Sequence, residues 1–345
     1  MAPDSRRVRA GRWVDLRWSP LTTWSRRRQV LVAAFGLVGT VVIVVTFVIA
    51  SGPVEVFSGD FADPSVFVTG PTGVYAYATD TAQDHVPVLH GSLFSGVRLV
   101  GDALPRLPTW SAPGFVWAPS VREAGPERYL LYYATLERTS GRECLSVATG
   151  TRPQGPFVDD STAPLECQPD LGGSIDPTTI TVGTSTYLLW KSDGDCCGRP
   201  TAIWSAPLSP DGLRVAAAPV SVLTADRPWE HGVVEGPSMI RTGSGFDLFF
   251  SGGVWDTPGY AMGVAACTSP LGPCRTTSSQ PFLVSRPGQQ GPGGGEVFRG
   301  PAGAPWIVYA AWTGGRTGYA AGGARSLFVS PLDLSGPVPV LRAAP

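Results

Sequence analysis

The sequence predicts an all-β protein, a five-bladed β-propeller preceded by one N-terminal transmembrane helix. Three observations predict it. First, the 345 residues include 43 Gly and 34 Pro, spread along the chain between short runs rich in Val, Ile, Tyr, Phe and Trp. Breakers at this density separate strands, and no amphipathic helical stretch of useful length follows residue 50. Second, one strand-turn-strand pattern recurs five times. Third, a single uncharged stretch of membrane-spanning length lies near the start.

The N-terminal elements come first. Residues 1–28 carry eight Arg and only two acids, Asp4 and Asp15, and read as a basic cytoplasmic tail. Residues 29–50 read as a signal-anchor helix. Within them Val30 to Ala50 holds no charge, and at 1.5 Å per residue it spans roughly 30 Å, the bilayer core. The Arg26-Arg27-Arg28 cluster just before it places the tail inside and residues 51–345 outside the cell membrane. Secretion after cleavage near Ala50 is the alternative, although the apolar run exceeds the usual signal core.

The remainder, 51–345, reads as one domain. Its six cysteines suit an exported protein. Local pairing joins Cys144 to Cys167 and Cys267 to Cys274, leaving the adjacent Cys196 and Cys197 open between a vicinal disulfide and a zinc site. No His or second Cys-x-x-Cys supports zinc. The formal net charge of −1 excludes nucleic acid as a partner, because phosphate binding needs a basic surface. Lysine occurs once, at Lys191, and every other basic residue is Arg, which reads as a coding bias.

The repeat begins at Asp63 (DPSVFVTGPTGVYAYAT), Ala118, Asp176 (DPTTITVGTSTYLLWKS), Gly236 and Gly294, at intervals of 55, 58, 60 and 58 residues. Each unit is a breaker pair, a short strand, a Gly-containing turn and an aromatic strand; most add a third strand. Units this small cannot bury their own faces, so radial packing must supply the core. The proline is expected to open the innermost strand, where no ladder N–H is lost, with an extended residue before it. That residue then points at one shared channel.

Three acids converge there: Asp63, Asp176 and, one position earlier in its repeat, Glu235. Clustered carboxylates perturb one another's ionisation. Glycoside hydrolysis needs such a set, with one acid and one base. A bound cation such as calcium is the competing use.

These motifs resemble those of family 43 glycoside hydrolases, five-bladed propellers acting on arabinose- and xylose-containing glycans. GDFADPSVF resembles the family's opening motif, WEHGVVEGPSMI the general-acid motif, and GGSIDPTTI the motif of the pKa-tuning aspartate. FVWAPSV resembles its second-blade segment. The resemblance implies an inverting mechanism with Asp63 as general base, Glu235 as general acid and Asp176 as tuner and orienter. It also implies Arg325 near the site. Trp117, Trp190, Trp255 and His231 are sugar-binding candidates, since sugar rings stack on aromatic faces.

The sequence departs from the family at Gly294, which stands where many members carry a histidine. No metal and no cofactor are therefore expected. The expected protein is a monomeric membrane-anchored glycosidase for a polysaccharide or oligosaccharide. A non-catalytic glycan-binding propeller and a retaining fructan-type relative are the alternatives.

Overall fold

The computed structural model describes residues 52–343, apart from 71–72, 93–95, 244, 301–302 and 337. The expected tail (1–28) and helix (29–50) lie outside the described residues. Among the described residues, no helix is long and apolar enough to cross a membrane.

The chain opens with β1 (Val54–Phe57). Blade one is β2 (Ser65–Thr69), β3 (Gly73–Tyr77), β4 (Pro87–Ser92) and β5 (Gly96–Asp102). Blade two is β6 (Trp117–Gly125), β7 (Arg128–Glu137) and β8 (Arg142–Gly150). Blade three is β9 (Ser174–Val182), β10 (Ser185–Ser192), β11 (Ala202–Pro207) and β12 (Val220–Thr224). Blade four is β13 (Glu235–Thr242), β14 (Gly245–Gly252), β15 (Ala261–Cys267) and β16 (Cys274–Thr276). Blade five is β17 (Gln290–Arg299), β18 (Pro305–Trp312) and β19 (Arg325–Asp333), with β20 (Val340–Leu341) on its outer edge. β1 also pairs with β19, Val54 opposite Val329. The first strand thus completes the last blade and closes the ring.

The inner strands β2, β6, β9, β13 and β17 touch in sequence around the axis. Between neighbouring blades lie five apolar clusters. Alternation along each strand feeds two of them. On β10, Leu188 and Trp190 face blade two, while Leu189 faces blade four. Large rings fill the gaps, Tyr132, Tyr133, Trp190, Phe249 and Tyr309 among them, all fully buried. Disulfides join Cys144 to Cys167, Cys267 to Cys274, and the neighbours Cys196 and Cys197.

The expectation for the residue before each proline is corrected. Asp63, Ala118, Asp176 and Gly236, each before a proline, take φ of 49°, 44°, 56° and 55°, and Gly294, which precedes Gly295 instead, takes 58°, left-handed instead of extended. Only in blade one does the strand start after the proline. In the other four blades the pair lies inside the inner strand as a bulge, two residues opposite one. Asp176 and Pro177 fall between the pairs Ile175–Lys191 and Thr178–Leu189. Gly236 and Pro237 fall between Glu235–Ser251 and Ser238–Phe249. A bulge absorbs a residue that cannot donate to the ladder and re-aims the side chain before it.

Candidate active site

The five repeat positions, Asp63, Ala118, Asp176, Gly236 and Gly294, surround one end of the axis, where a cavity of 880 Å³ opens. Asp63, Asp176 and Glu235 all line it, as do Trp117, Trp255, Arg325, Lys191, Tyr260, Tyr319 and Glu296. Phe115, Trp255 and Tyr319 keep 49%, 39% and 44% of their surface exposed, giving the pocket aromatic walls on opposite blades.

Asp63 is held from two sides. Its Oδ1 accepts from Arg325 Nη1 at 3.1 Å, and its Oδ2 accepts from Thr79 Oγ1 at 2.7 Å. The threonine oxygen in turn accepts from the Ala118 N–H at 3.1 Å. Arg325 is itself fixed. Its guanidinium carbon lies 5.1, 5.6 and 5.5 Å from the ring centres of Trp255, Trp312 and Tyr319. A planar guanidinium lies against such rings while its in-plane N–H groups keep their partners.

Glu235 is buried, and both its oxygens are occupied. Tyr260 donates to Oε1 at 2.5 Å and Lys191 to Oε2 at 2.7 Å. Burial, then the charges of Glu235 and Asp63, raise the Tyr260 pKa well above its usual value, so the phenol remains a donor. Asp176 Oδ2 accepts the Gly236 N–H at 2.8 Å. Burial first and the Glu235 charge second push the Asp176 carboxyl up to about 8, against the opposing pull of Lys191.

More acids line the wall. Burial raises Asp80, lifts Asp193 to about 6 and Glu296 to about 7. Among the described residues, no group of three or more His, Cys, Asp or Glu is placed to hold a metal ion. At the point where Asp193, Asp195 and Glu235 come nearest one another stands the Lys191 ammonium.

Gly294 leaves no room for a side chain. A β-carbon there would lie 2.4 Å from Asp63 Oδ1, and its φ of 58° disfavours any L residue. The Asp63 carboxylate fills the space beside it.

Two sugar-binding expectations are corrected. Trp190 is fully buried in the cluster between blades two and three, its Nε1 donating to Gln168 Oε1 at 3.0 Å. Its neighbour Lys191 enters the pocket, and adjacent strand residues face opposite ways. His231 is exposed and caps the short turn Pro228–Glu230 with φ 51°, outside the pocket lining. Trp117, Trp255 and Arg325 do line it. Sequence reasoning missed Tyr260 and Thr79, which sit in no distinctive motif. It also missed Lys191, whose signal was its being the chain's one lysine.

Solved structures share this architecture. A thermostable family-43 glycoside hydrolase superposes with a TM-score of 0.73 at 23% identity, over 84% of this chain and 95% of that one. An endo-1,4-beta-xylanase from Bacteroides thetaiotaomicron gives 0.69 at 24%, over 84% and 96%. An alpha-L-arabinofuranosidase from Lactobacillus brevis gives 0.64 at 18%, over 83% and 94%. No curated protein sequence matches the chain. The model of one family, Glycosyl hydrolases family 43, matches residues 54–335, nearly the whole propeller, and the chain belongs to that family: it is a glycosidase acting on O-glycosyl compounds.

Proposed function

We propose that the protein cleaves arabinofuranosyl or xylosyl linkages of a polysaccharide or oligosaccharide by a single inverting displacement, outside the cytoplasm and tethered by residues 29–50. Asp63 takes a proton from the attacking water. Glu235 protonates the leaving oxygen. Asp176 tunes and orients Glu235. The observation that carries the reading is the division of partners. Asp63 is fixed by a guanidinium and a hydroxyl on one side of the pocket. Glu235 is fixed by an ammonium and a phenol on the other. Two carboxylates held separately around one cavity suit an acid and a base acting from opposite faces of a sugar.

The pentose assignment draws on the neighbours. One is an arabinofuranosidase, one an endo-1,4-beta-xylanase, and a third an endo-arabinase from Bacteroides thetaiotaomicron. The aromatic walls give such rings faces to stack on. The test is sugar release from arabinans, arabinogalactans, xylans and aryl pentosides, with the anomer of the fresh product read by proton NMR. Release of the inverted anomer supports the reading. Release of the retained anomer contradicts the single displacement. Binding to a glycan without release contradicts the reaction and favours a glycan-binding role.

A further inference from the structure

The lone lysine carries an inference that rests on Glu235 being the acid. The chain holds 26 Lys and Arg together, and a single one is Lys. Every other basic residue, apart from three His, is Arg. That side chain is 2% exposed and lies in the pocket. Its three N–H donors meet three carboxylates: Glu235 Oε2 at 2.7 Å, Asp195 Oδ1 at 2.8 Å and Asp193 Oδ1 at 3.3 Å. An ammonium presents three donors from a point, whereas a guanidinium presents a planar fork. Partners converging on one point from two blades suit the ammonium.

The neighbours explain why three acids share one cation. Asp193 and Asp195 belong to the turn after β10, whose residues Gly194–Cys197 form one turn of 3-10 helix carrying the Cys196–Cys197 disulfide. When Glu235 is protonated, the two aspartates still hold the ammonium in place. The Lys191 pKa follows suit. Burial alone would lower it, but Glu235, Asp195, Asp176 and Asp193 outweigh burial and raise it. The charge is therefore constant while Glu235 gains and loses its proton.

We propose that Lys191 is a positioning residue for the acid Glu235, anchored by Asp193 and Asp195, and that it sets the alkaline edge of activity. It fixes one carboxyl oxygen of Glu235 while Tyr260 fixes the other. It also favours the ionised form of the Asp176–Glu235 pair, opposing the mutual repulsion of the two acids. Asp176 and Lys191 thus pull the acid's working range in opposite directions.

The test compares pH–rate profiles of the full chain as wild type, Lys191→Met and Lys191→Arg. An alkaline limb reports loss of the acid's proton. Removing a cation in contact moves such a limb up by about one pH unit or more. Lys191→Met should show that shift together with a lower kcat. Lys191→Arg should keep the limb near its wild-type place at reduced kcat. A purely structural lysine would lower kcat in both and leave the limb unmoved, which would overturn the proposal.

A second readout needs no turnover. Lysine labelled with 15N at Nζ gives one side-chain signal in this chain. It should stay protonated beyond the usual lysine range, and it should shift in Glu235→Gln. A signal that titrates like free lysine, or ignores Glu235→Gln, overturns the proposal even if Lys191→Met does not fold. A wild type that cleaves no glycan contradicts the proposed reaction instead; the resonance then decides the ion pair alone.

Discussion

Asp63 Oδ1 occupies space that a β-carbon on Gly294 would need, 2.4 Å from where that carbon would stand. The two residues hold the same position in blades one and five. The carboxylate of one leans over the backbone of the other, and glycine is what permits it.

Gly294→Ala should therefore harm both fold and site. A β-carbon at φ 58° costs about 1–3 kcal/mol, and Asp63 must move to admit it. The expected outcome is a lower thermal midpoint and a fall in kcat of about 100-fold, the usual effect of a 1 Å misplacement. Unchanged kcat would show that Asp63 does not depend on this contact.

Arg325 bonds Asp63 and the Tyr319 hydroxyl and lies over the rings of Trp255 and Trp312. Arg325→Lys keeps the charge and loses the stack. It should cost more than about ten-fold in kcat/KM, because the ammonium cannot be held in the same plane. Activity equal to wild type in the lysine variant would make the charge alone sufficient.

Trp190 and Trp255 separate core from site. Trp190→Ala empties a fully buried position and should cost about 3–5 kcal/mol of stability. Trp255→Ala should instead raise KM several-fold with a small change in thermal midpoint, since its face is exposed at the pocket. A Trp255 variant with wild-type KM on every active substrate would remove it from the sugar-binding surface.

Several carboxyls bind their protons more tightly in the folded chain. Asp176 and Glu143 lie near 8, Glu296 near 7 and Asp193 near 6, from ordinary values of 3.8 for Asp and 4.5 for Glu, burial being the leading cause in each. For a raised acid the folded state holds more protons than the unfolded one at intermediate pH. Its stabilising contribution is full below the unfolded pKa and is lost as pH rises through the folded one. The thermal midpoint should fall from about pH 5 to pH 8, and Asp176→Asn should flatten that fall. A midpoint that rises over this window would contradict the burial of these groups.

Much of this was legible before the structure. The repeated breaker pair marked blade number and inner strands, because it marks recurring backbone geometry. It placed Asp63, Asp176 and Glu235 around one pocket. Its conformation was misjudged, since proline inside a strand can be absorbed by a bulge as well as avoided at an end. Trp190 was misplaced because a strand tryptophan fills the space between blades as readily as it lines a pocket, and which face it takes is set by the packing. Tyr260 and Thr79 reach the acids by tertiary contact alone, and no local pattern announces that. Lys191 was visible as an oddity of composition, and only its three carboxylate partners gave that oddity a meaning.

The most direct test of the account varies the leaving group. Wild type, Glu235→Gln and Asp63→Asn would be compared on a pentose oligosaccharide and on an aryl pentoside whose phenol leaves without help. A general acid matters only when the leaving group needs a proton. Glu235→Gln should lose most activity on the oligosaccharide, by about 100-fold or more, and keep much of it on the activated aryl substrate. Asp63→Asn should lose both. If Glu235→Gln falls equally on both substrates, or Asp63→Asn keeps wild-type rates, the division of labour between the two carboxylates is wrong.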